Sequence, residues 1–148
     1  MKQLYILDFR IEHAQKLVFD ENIEGIAYDK EFIRDCRENR NGGPAYTLMF
    51  EKIPVVCGGV RIFWPGSGQA WALVTSDIKN YCRAHFLVRQ KLDEIIEDND
   101  LDRVQAHVRA DVPIFSRYAE YYGFKLECEC KKYGPDRRDF YLYARVRT

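Results

Sequence analysis

Hydrophobic and polar positions alternate along this chain with two different periods, and each change of period marks a predicted element. A two-residue alternation is typical of half-buried strands, whereas apolar residues three or four positions apart are typical of amphipathic helices. The pattern predicts the order β, α, α, β, β, β, α, β, α, β, β. The predicted strands are residues 4–9, 45–50, 55–63, 69–75, 103–108, 124–133 and 140–146, and the predicted helices are residues 12–22, 29–37, 81–97 and a last one between Pro113 and Gly123.

The middle of the chain indicates the topology. The strands 45–50, 55–63 and 69–75 follow one another through short turns, which predicts an antiparallel meander. The helix 81–97 then connects two strands, and such a connection joins parallel neighbours. A chain of 148 residues suits one core. The sequence therefore predicts a single α/β (α+β) domain over residues 1–148, with a mixed, mostly antiparallel central sheet flanked by helices.

Composition and charge narrow the classes of function. Lys plus Arg and Asp plus Glu both number 23, and a zero net charge argues against a broad nucleic-acid surface, which needs a basic surplus. Asp8, Arg10 and Glu12 interrupt the apolar stretch of a signal peptide, and no run approaches the ~18 apolar residues of a membrane span. We therefore expect a cytoplasmic protein without a membrane partner. The five cysteines lack framework spacing, so we expect reduced thiols.

The segment TSDIKNYCRAHF, residues 75–86, joins a hydrophobic strand to the longest predicted helix. Helix N-termini direct backbone N–H groups outward and favour anions, and Lys79 and Arg83 add positive charge. The segment has no glycine that would let a phosphate come close. Two interpretations remain open: an anion site supported by the two basic residues, or an ordinary helix start capped by Ser76 or Asp77.

Three strings in this order resemble the GCN5-related N-acetyltransferase (GNAT) superfamily: QAWALVT before the long helix, ADVPIFSRYAEYYGF, and the hairpin after its Gly-Phe. The resemblance spans the whole chain in order and pattern. It implies an acyl-CoA N-acyltransferase-like fold whose central parallel strands splay apart around the ligand. It also implies an acyl-CoA-dependent N-acyltransferase that moves an acetyl group from acetyl-CoA to an amine on a small molecule or a protein.

A narrower resemblance is to the GNAT-like proteins of tailed bacteriophages. The strings GVRIFWPGSGQAWALVTSD and FSRYAEYYGF carry it, as a Gly-rich turn before a Trp-bearing strand and an aromatic-rich helix before Gly-Phe. Some members of that group are internal virion proteins. This resemblance implies an alternative function, a catalytically degenerate protein acting as a virion or host-interaction component. Its partners would be phage or host proteins, and its location the host cytoplasm or the virion.

The GNAT resemblance assigns the cofactor site to the start of the long helix. Family members hold the pyrophosphate of acetyl-CoA on a loop of Gln or Arg, two residues, Gly, one residue, then Gly or Ala. Lys79 stands at the first of these positions, Cys82 replaces the first glycine, and Ala84 is an allowed second small residue. Because cysteine has a Cβ, a left-handed backbone at Cys82 is penalised. Lys79 and Arg83 are expected to compensate through direct phosphate contacts.

The same resemblance assigns the catalytic roles. A backbone N–H at the strand end near Val74 and Thr75 would hold the acyl oxygen, and Tyr118 would protonate the leaving thiolate. Asp111 stands seven residues before Tyr118, where the family has Asn. The alternative is that Tyr118 is one of several packing aromatics on an amphipathic helix. No clear general base is apparent, and His107 is open between a cleft-facing and a structural role.

Other reactive side chains have ordinary explanations. Cys128 and Cys130 are predicted to share a strand face with Leu126 as core thiols, because no further ligands at zinc spacing accompany them. Cys82 and His85 are three positions apart on the predicted helix, which leaves a Cys–His nucleophile open.

The turns offer candidate contact surfaces. Trp64 and Trp71 flank the PGSG turn, and they would indicate a protein interface if exposed or anchor the sheet if buried. Homodimerisation through this turn or through an exposed strand is left open. Gly58 and Gly59 predict a bulge or a close backbone approach in their strand. The basic residues of the last hairpin turn favour a solvated surface; they are Lys131, Lys132, Arg137 and Arg138.

Overall fold

The computed structural model describes residues 3–21 and 30–148, without the side chains of residues 19–21. The elements in these ranges follow the predicted order. Asn22 and Asp29, at the inner ends of the first two predicted helices, lie outside the described residues. None of the helices in the two ranges is long and apolar enough to span a membrane. The elements are β1 (Leu4–Asp8), α1 (Ile11–Glu21), α2 (Lys30–Asn41), β2 (Ala45–Phe50), β3 (Ile53–Trp64), β4 (Ser67–Val74), α3 (Ala84–Asp98), β5 (Arg103–Arg109), α4 (Pro113–Tyr121), β6 (Lys125–Cys130) and β7 (Phe140–Val146).

The seven strands form one sheet in the order β1-β2-β3-β4-β5-β7-β6. β4 and β5 pair in parallel, and antiparallel ladders join β1 to β2, β2 to β3, β5 to β7 and β7 to β6. A mixed, mostly antiparallel sheet flanked by helices is therefore the observed fold class, as predicted. The parallel ladder between β4 and β5 is short. Its last pair is Gln69 with Gln105, whereas β4 continues to Val74 and β5 to Arg109.

Backbone contacts group the chain into two compact units, Met1–Arg61 with Trp71–Val88 and Ile62–Ala70 with Arg89–Thr148. The expectation of one domain over residues 1–148 stays a prediction. In the first unit, the apolar stripes of α1 and α2 contribute to one core with β-strand side chains. Each large apolar side chain buried there stabilises the fold by about 1.5–3 kcal/mol. The buried members of this core are Phe9, Ala14, Leu17, Val18, Phe32, Cys36 and Cys57.

Gly59 marks a close approach of β3 to the residue before β2. A Cβ at this position would lie 2.2 Å from the Pro44 carbonyl oxygen, whereas a Cβ at Gly58 would lie 3.0 Å from that of Trp71. The N–H of Val60 donates to the same Pro44 oxygen at 3.0 Å. The close approach predicted at this pair of glycines is confirmed.

The two tryptophans lie in different environments. Trp64, the last residue of β3 before the turn, is 65% exposed, and its ring lies 5.6 Å from that of Phe63. Trp71 packs edge-to-face on Phe9 with ring centroids 5.1 Å apart, and it contacts the core of the first unit. Trp71 therefore anchors the sheet, while the turn presents two exposed aromatic rings. Homodimerisation through that turn stays a prediction.

Arg145 connects α3 and α4 to β7 in the second unit. Its guanidinium donates to the Tyr122 carbonyl at 2.9 Å and pairs with Asp93 at 2.6 Å. Gly123 follows α4 with φ at 95°, the left-handed conformation that commonly ends a helix. The predicted helix end is therefore confirmed. The buried side chains of this unit include Leu92, Ile95, Leu101, Val104, Ala119, Tyr122, Phe124, Tyr143 and Ala144.

A β-bulge at Glu127 changes which side chains share a face of β6. Leu126 lies opposite Tyr143, while Cys128 lies opposite Leu142. Tyr143 and Leu142 are consecutive in β7, so the side chains of Leu126 and Cys128 lie on opposite faces of the sheet. The predicted shared face of Leu126 and the cysteines is therefore wrong, because strict alternation does not anticipate the extra residue of a bulge.

Candidate functional site

Thr75 follows β4 and starts the turn toward α3. Its backbone N–H donates to the Val55 carbonyl at 3.0 Å, and its hydroxyl accepts a hydrogen bond from the Asp77 N–H at 3.3 Å. One turn of 3₁₀ helix comes next and separates β4 from α3. The expectation that Ser76 or Asp77 caps the long helix is therefore wrong, since α3 begins only at Ala84.

The turn that leads into α3 has its left-handed residue at Arg83, with φ at 72°. Cys82, which matches the family's first glycine, lies one residue earlier. The N–H of Ala84 donates to the Tyr81 carbonyl at 3.1 Å, and α-helical bonding begins from the Leu87 N–H to the Arg83 carbonyl at 3.0 Å. The backbone penalty expected at Cys82 therefore falls on Arg83 instead.

Three exposed side chains, Lys79, Cys82 and Arg83, precede α3, while Ala84 is buried. The Arg83 guanidinium lies 5.1 Å from the centroid of the Phe86 ring. An exposed cation–π contact contributes about 0.5–1 kcal/mol, and it holds this charge near the helix start. The positive end of the α3 dipole adds to the two side-chain charges. The segment from Lys79 to Ala84 therefore presents positive potential to an anion.

Cys82 and His85 do not share a helix. Cys82 lies in the turn, whereas His85 lies in the first turn of α3. The left-handed residue between them breaks the helical geometry in which side chains three positions apart become neighbours. The argument for a Cys–His nucleophile from helical spacing is therefore wrong. Burial also lowers the pKa of His85.

The carboxylate of Asp111 binds two guanidinium groups. Arg109 donates to it through Nε at 3.0 Å and through Nη2 at 2.8 Å, and Arg138 donates through Nη1 at 3.2 Å. Paired contacts of this kind are stronger than single ones and fix the geometry. Asp111 therefore connects the end of β5 to the turn between β6 and β7, at the chain segment that leads into α4.

Tyr118 lies on α4 beside the core of the second unit. It is half-buried, whereas Ala119 and Tyr122 are buried. Its ring centroid is 6.3 Å from that of Phe115. Burial raises the pKa of the Tyr118 hydroxyl, so the group is protonated and able to donate at neutral pH. Tyr122 fits the packing interpretation of this helix, and the catalytic role of Tyr118 stays a prediction.

His107 on β5 lies beneath an aromatic ring. Tyr133, from the turn after β6, stacks on the imidazole with centroids 4.3 Å apart and planes 9° from parallel. The Nδ1 atom of His107 is buried and has no hydrogen-bond partner within the described part of the chain. Burial lowers its pKa, so the imidazole is neutral at pH 7. The sequence carries no signal for this stack, because only the folded hairpin brings the two rings together.

No family model matches the chain, and no curated protein matches it. Among solved structures, the chain is similar to an acetyltransferase of the GNAT family from Bacillus anthracis, with 18% identity, a TM-score of 0.73 and coverage of 99% of this chain and 98% of that one.

Two further solved structures are similar over nearly the same span. One is a ribosomal-protein-S5-alanine acetyltransferase from Vibrio fischeri, with 14% identity, a TM-score of 0.76 and coverage of 99% of this chain and 94% of that one. The other is a spermidine N-acetyltransferase chimera from Vibrio cholerae and hSSAT, with 15% identity, a TM-score of 0.70 and coverage of 97% and 95%. The TM-scores and the coverage show that the chain has the fold of the GNAT acetyltransferases over nearly its whole length, and identities this low carry no more than the fold.

Proposed function

We propose that this protein is an acyl-CoA-dependent N-acyltransferase that transfers an acetyl group from acetyl-CoA to an amine. The observation that carries the proposal is the pair of exposed cations, Lys79 and Arg83, just before the N-terminal end of α3. Acetyl-CoA supplies an activated thioester, and its pyrophosphate is an anion of the kind that helix N-termini and basic side chains bind. The charge and exposure of these two cations fit that group.

Lys79 and Arg83 are the side chains proposed to hold the pyrophosphate. Both are exposed, and the contact with Phe86 keeps Arg83 near the helix start. Cys82 and Ala84 occupy the two small-residue positions, although the Cβ of Cys82 limits how closely a phosphate approaches the backbone. Side-chain contacts therefore replace part of the backbone cradle that glycines would allow.

Val74 is the stronger of the two strand-end candidates for binding the acyl oxygen. The N–H of Thr75 donates to the Val55 carbonyl of β3. Successive N–H groups of a strand point to opposite edges, so the Val74 N–H points away from β3. A backbone donor held in place by a strand stabilises a developing oxyanion without reorganisation. Thr75 is then proposed to shape the turn that leads to the phosphate ligands.

Tyr118 is proposed as the acid that protonates the leaving thiolate. A phenol is protonated at neutral pH, which is the state an acid catalyst needs, and burial raises the pKa of this one further. Asp111 is proposed as a positioning residue, because its ion pairs with Arg109 and Arg138 fix the chain just before α4.

The acceptor is proposed to be an amine on a small molecule or a protein. The names of the structural neighbours state acceptors as unlike as an alanine of ribosomal protein S5 and spermidine. Shared architecture therefore does not select the acceptor, which depends on the residues placed on the fold.

Isothermal titration of the full chain with acetyl-CoA tests the cofactor site. Replacing Lys79 and Arg83 together by Ala should weaken binding at least about a hundredfold, since hydrogen bonds to charged groups contribute about 1.5–3 kcal/mol each. The matched control replaces Lys52 and Lys125, two exposed cations elsewhere in the chain, by Ala. It should bind acetyl-CoA as tightly as the unmodified chain does. No heat and no thermal shift with the unmodified chain at high protein concentration would contradict the proposal.

A second candidate function is a catalytically degenerate bacteriophage protein. One feature favours the loss of cofactor binding: Arg83 is left-handed between the two small-residue positions, and the N–H of Ala84 is already used by the Tyr81 carbonyl. The bacteriophage context rests on the resemblance of the sequence strings alone. The fold would then serve as a virion or host-interaction component, in the host cytoplasm or the virion. Turnover of acetyl-CoA against a panel of amines would exclude this alternative.

A further inference from the structure

Cys128 and Cys130 lie on the edge strand β6, whose outer side has no neighbouring strand in the sheet order. Their register partners in β7 are Leu142 and Phe140, so the two thiols lie on the same face, two residues apart. Cys128 is exposed and Cys130 is half-buried. The expectation that these are core thiols is therefore wrong, because β6 covers one edge of the sheet and is not itself covered.

The two thiols influence each other's protonation. Partial desolvation, a hydrogen bond with the Cys128 thiol and the charge of that thiol together raise the pKa of Cys130. The cysteines of the first unit differ in exposure, because both are buried, and burial raises the pKa of Cys36 to about 11 and that of Cys57 to about 12. Thiolates are the reactive form and need access to solvent. The edge-strand pair is therefore the accessible dithiol, and Cys36 with Cys57 are inert by burial.

We propose that Cys128 and Cys130 form a redox-active dithiol site that low-molecular-weight disulfides convert reversibly to an intrastrand disulfide. The inference is independent of acetyl transfer. It needs only the two accessible thiols and their shared face on the edge strand.

The reaction proceeds by two thiol–disulfide exchanges. The more exposed Cys128 loses its proton to solvent, and its thiolate attacks one sulfur of the small disulfide. This step forms a mixed disulfide and releases one small thiolate. The Cys130 thiolate then attacks the Cys128 sulfur and releases the second. One small disulfide is reduced to two thiols, and one pair of protein thiols is oxidised to a disulfide.

The extended backbone around the pair opposes closure, because side chains two residues apart on one face keep their Cβ atoms beyond the about 3.5–4.5 Å of a disulfide, so the strand must contract. Residues two apart in a strand are separated by about 6.6–6.8 Å between Cα atoms, while disulfides prefer about 5.5–6 Å. Cys130 is the last residue of β6, and the bulge at Glu127 immediately precedes Cys128. The strand therefore has freedom at both ends of the pair to contract. Strained and exposed disulfides are readily reduced, so the bond should open again with a dithiol reductant.

Peptide mass spectrometry after exposure to oxidised glutathione tests the site. Trypsin releases both thiols in one peptide, residues 126–131. The full chain carries Cys82→Ser, which removes the other exposed thiol of the described residues. We expect this peptide to lose the mass of two hydrogens and to retain no glutathione. Reduction should restore the two hydrogens. Cys128→Ser and Cys130→Ser should each instead retain one glutathione on the remaining thiol.

Several outcomes would overturn the proposal: two retained glutathiones, one retained glutathione with both cysteines present, no reaction at this peptide, or a disulfide-linked dimer.

Phenylarsine oxide, which bridges neighbouring thiols, gives a second measurement without any variant at the pair. One arsenical per chain should protect both cysteines from alkylation. Protection of neither thiol, or of one alone, would also contradict the site. Cys36 and Cys57 report the folded state, because they should stay unmodified throughout.

Discussion

Arg83 carries a full side chain in the left-handed backbone region, where glycine is the usual residue. Such a conformation costs a residue with a Cβ about 1–2 kcal/mol. The sequence indicates that the proposed cofactor loop lacks its glycines, yet it does not show which residue is left with an unfavourable backbone conformation. Cys82 holds the position matched to glycine, but the strained residue is its neighbour Arg83. The turn around Arg83 allows the Ala84 N–H to donate to the Tyr81 carbonyl.

Replacement of Arg83 measures this strain directly. Arg83→Gly and Arg83→Ala both remove the guanidinium and its contact with Phe86, but only glycine removes the strain. We expect Arg83→Gly to be more stable than Arg83→Ala by about 1 kcal/mol, the reverse of the usual preference for Ala over Gly. Urea unfolding of the two variants gives the difference. Equal stability, or a more stable Ala variant, would mean that the left-handed conformation at this position is not formed.

The three histidines predict how stability depends on pH. Burial is the first cause that lowers the pKa of each of His13, His85 and His107 below the ordinary 6.5. The unfolded chain therefore binds more protons as the pH falls through 6.5, and the free energy of unfolding decreases. We expect a lower melting temperature at about pH 5.5 than at about pH 7.5.

His107→Asn isolates one contribution to this effect. The variant lacks the buried imidazole under Tyr133, so its melting temperature should fall less over the same pH range. Imidazole titration by NMR supplies the independent readout. A folded-state pKa of His107 above 6.5 would refute the assignment, since the sign of the pH dependence would then be opposite.

At the scale of elements, periodicity predicts the bodies of helices and strands better than their ends. The body of α3 follows from the spacing of its apolar residues, but its start does not. Ile78 and Tyr81 continue the helical spacing toward Ala84, although Ile78 is buried by a 3₁₀ turn. The bulge at Glu127 is equally invisible, because an inserted residue leaves the hydrophobic pattern of one short strand unchanged.

Gly58 and Gly59 make the close packing of β3 testable. A Cβ at Gly59 would overlap the Pro44 carbonyl at 2.2 Å, whereas one at Gly58 would lie 3.0 Å from the Trp71 oxygen. Gly59→Ala should therefore lower the free energy of unfolding by about 3 kcal/mol, the upper part of the range for overpacking. Gly58→Ala is the matched control in the same strand and should cost clearly less. Similar losses in guanidinium unfolding would contradict the close approach.

At the scale of the whole molecule, architecture and chemistry have separate origins in this sequence. The order of strand and helix periodicities along the chain specifies the fold. Acetyltransferases of solved structure have the same fold at 18% sequence identity or below. The candidate site depends on a few positions instead. Lys79 and Arg83 are apparent from charge and spacing, but the ion pairs of Asp111 and the ring over His107 arise only when distant segments meet. Function therefore has to be argued from these residues.

Tyr118→Phe separates catalysis from cofactor binding. If the phenol protonates the leaving thiolate, its removal should lower kcat by about 10²- to 10⁴-fold. The affinity for acetyl-CoA should stay unchanged, because the proposed phosphate ligands Lys79 and Arg83 are intact. Tyr121→Phe removes a hydroxyl from the same helix and should keep full activity. Unchanged kcat in Tyr118→Phe would contradict the role of Tyr118 as the acid without contradicting the proposed cofactor site. If the unmodified chain does not bind acetyl-CoA, the proposed enzymatic function itself is contradicted.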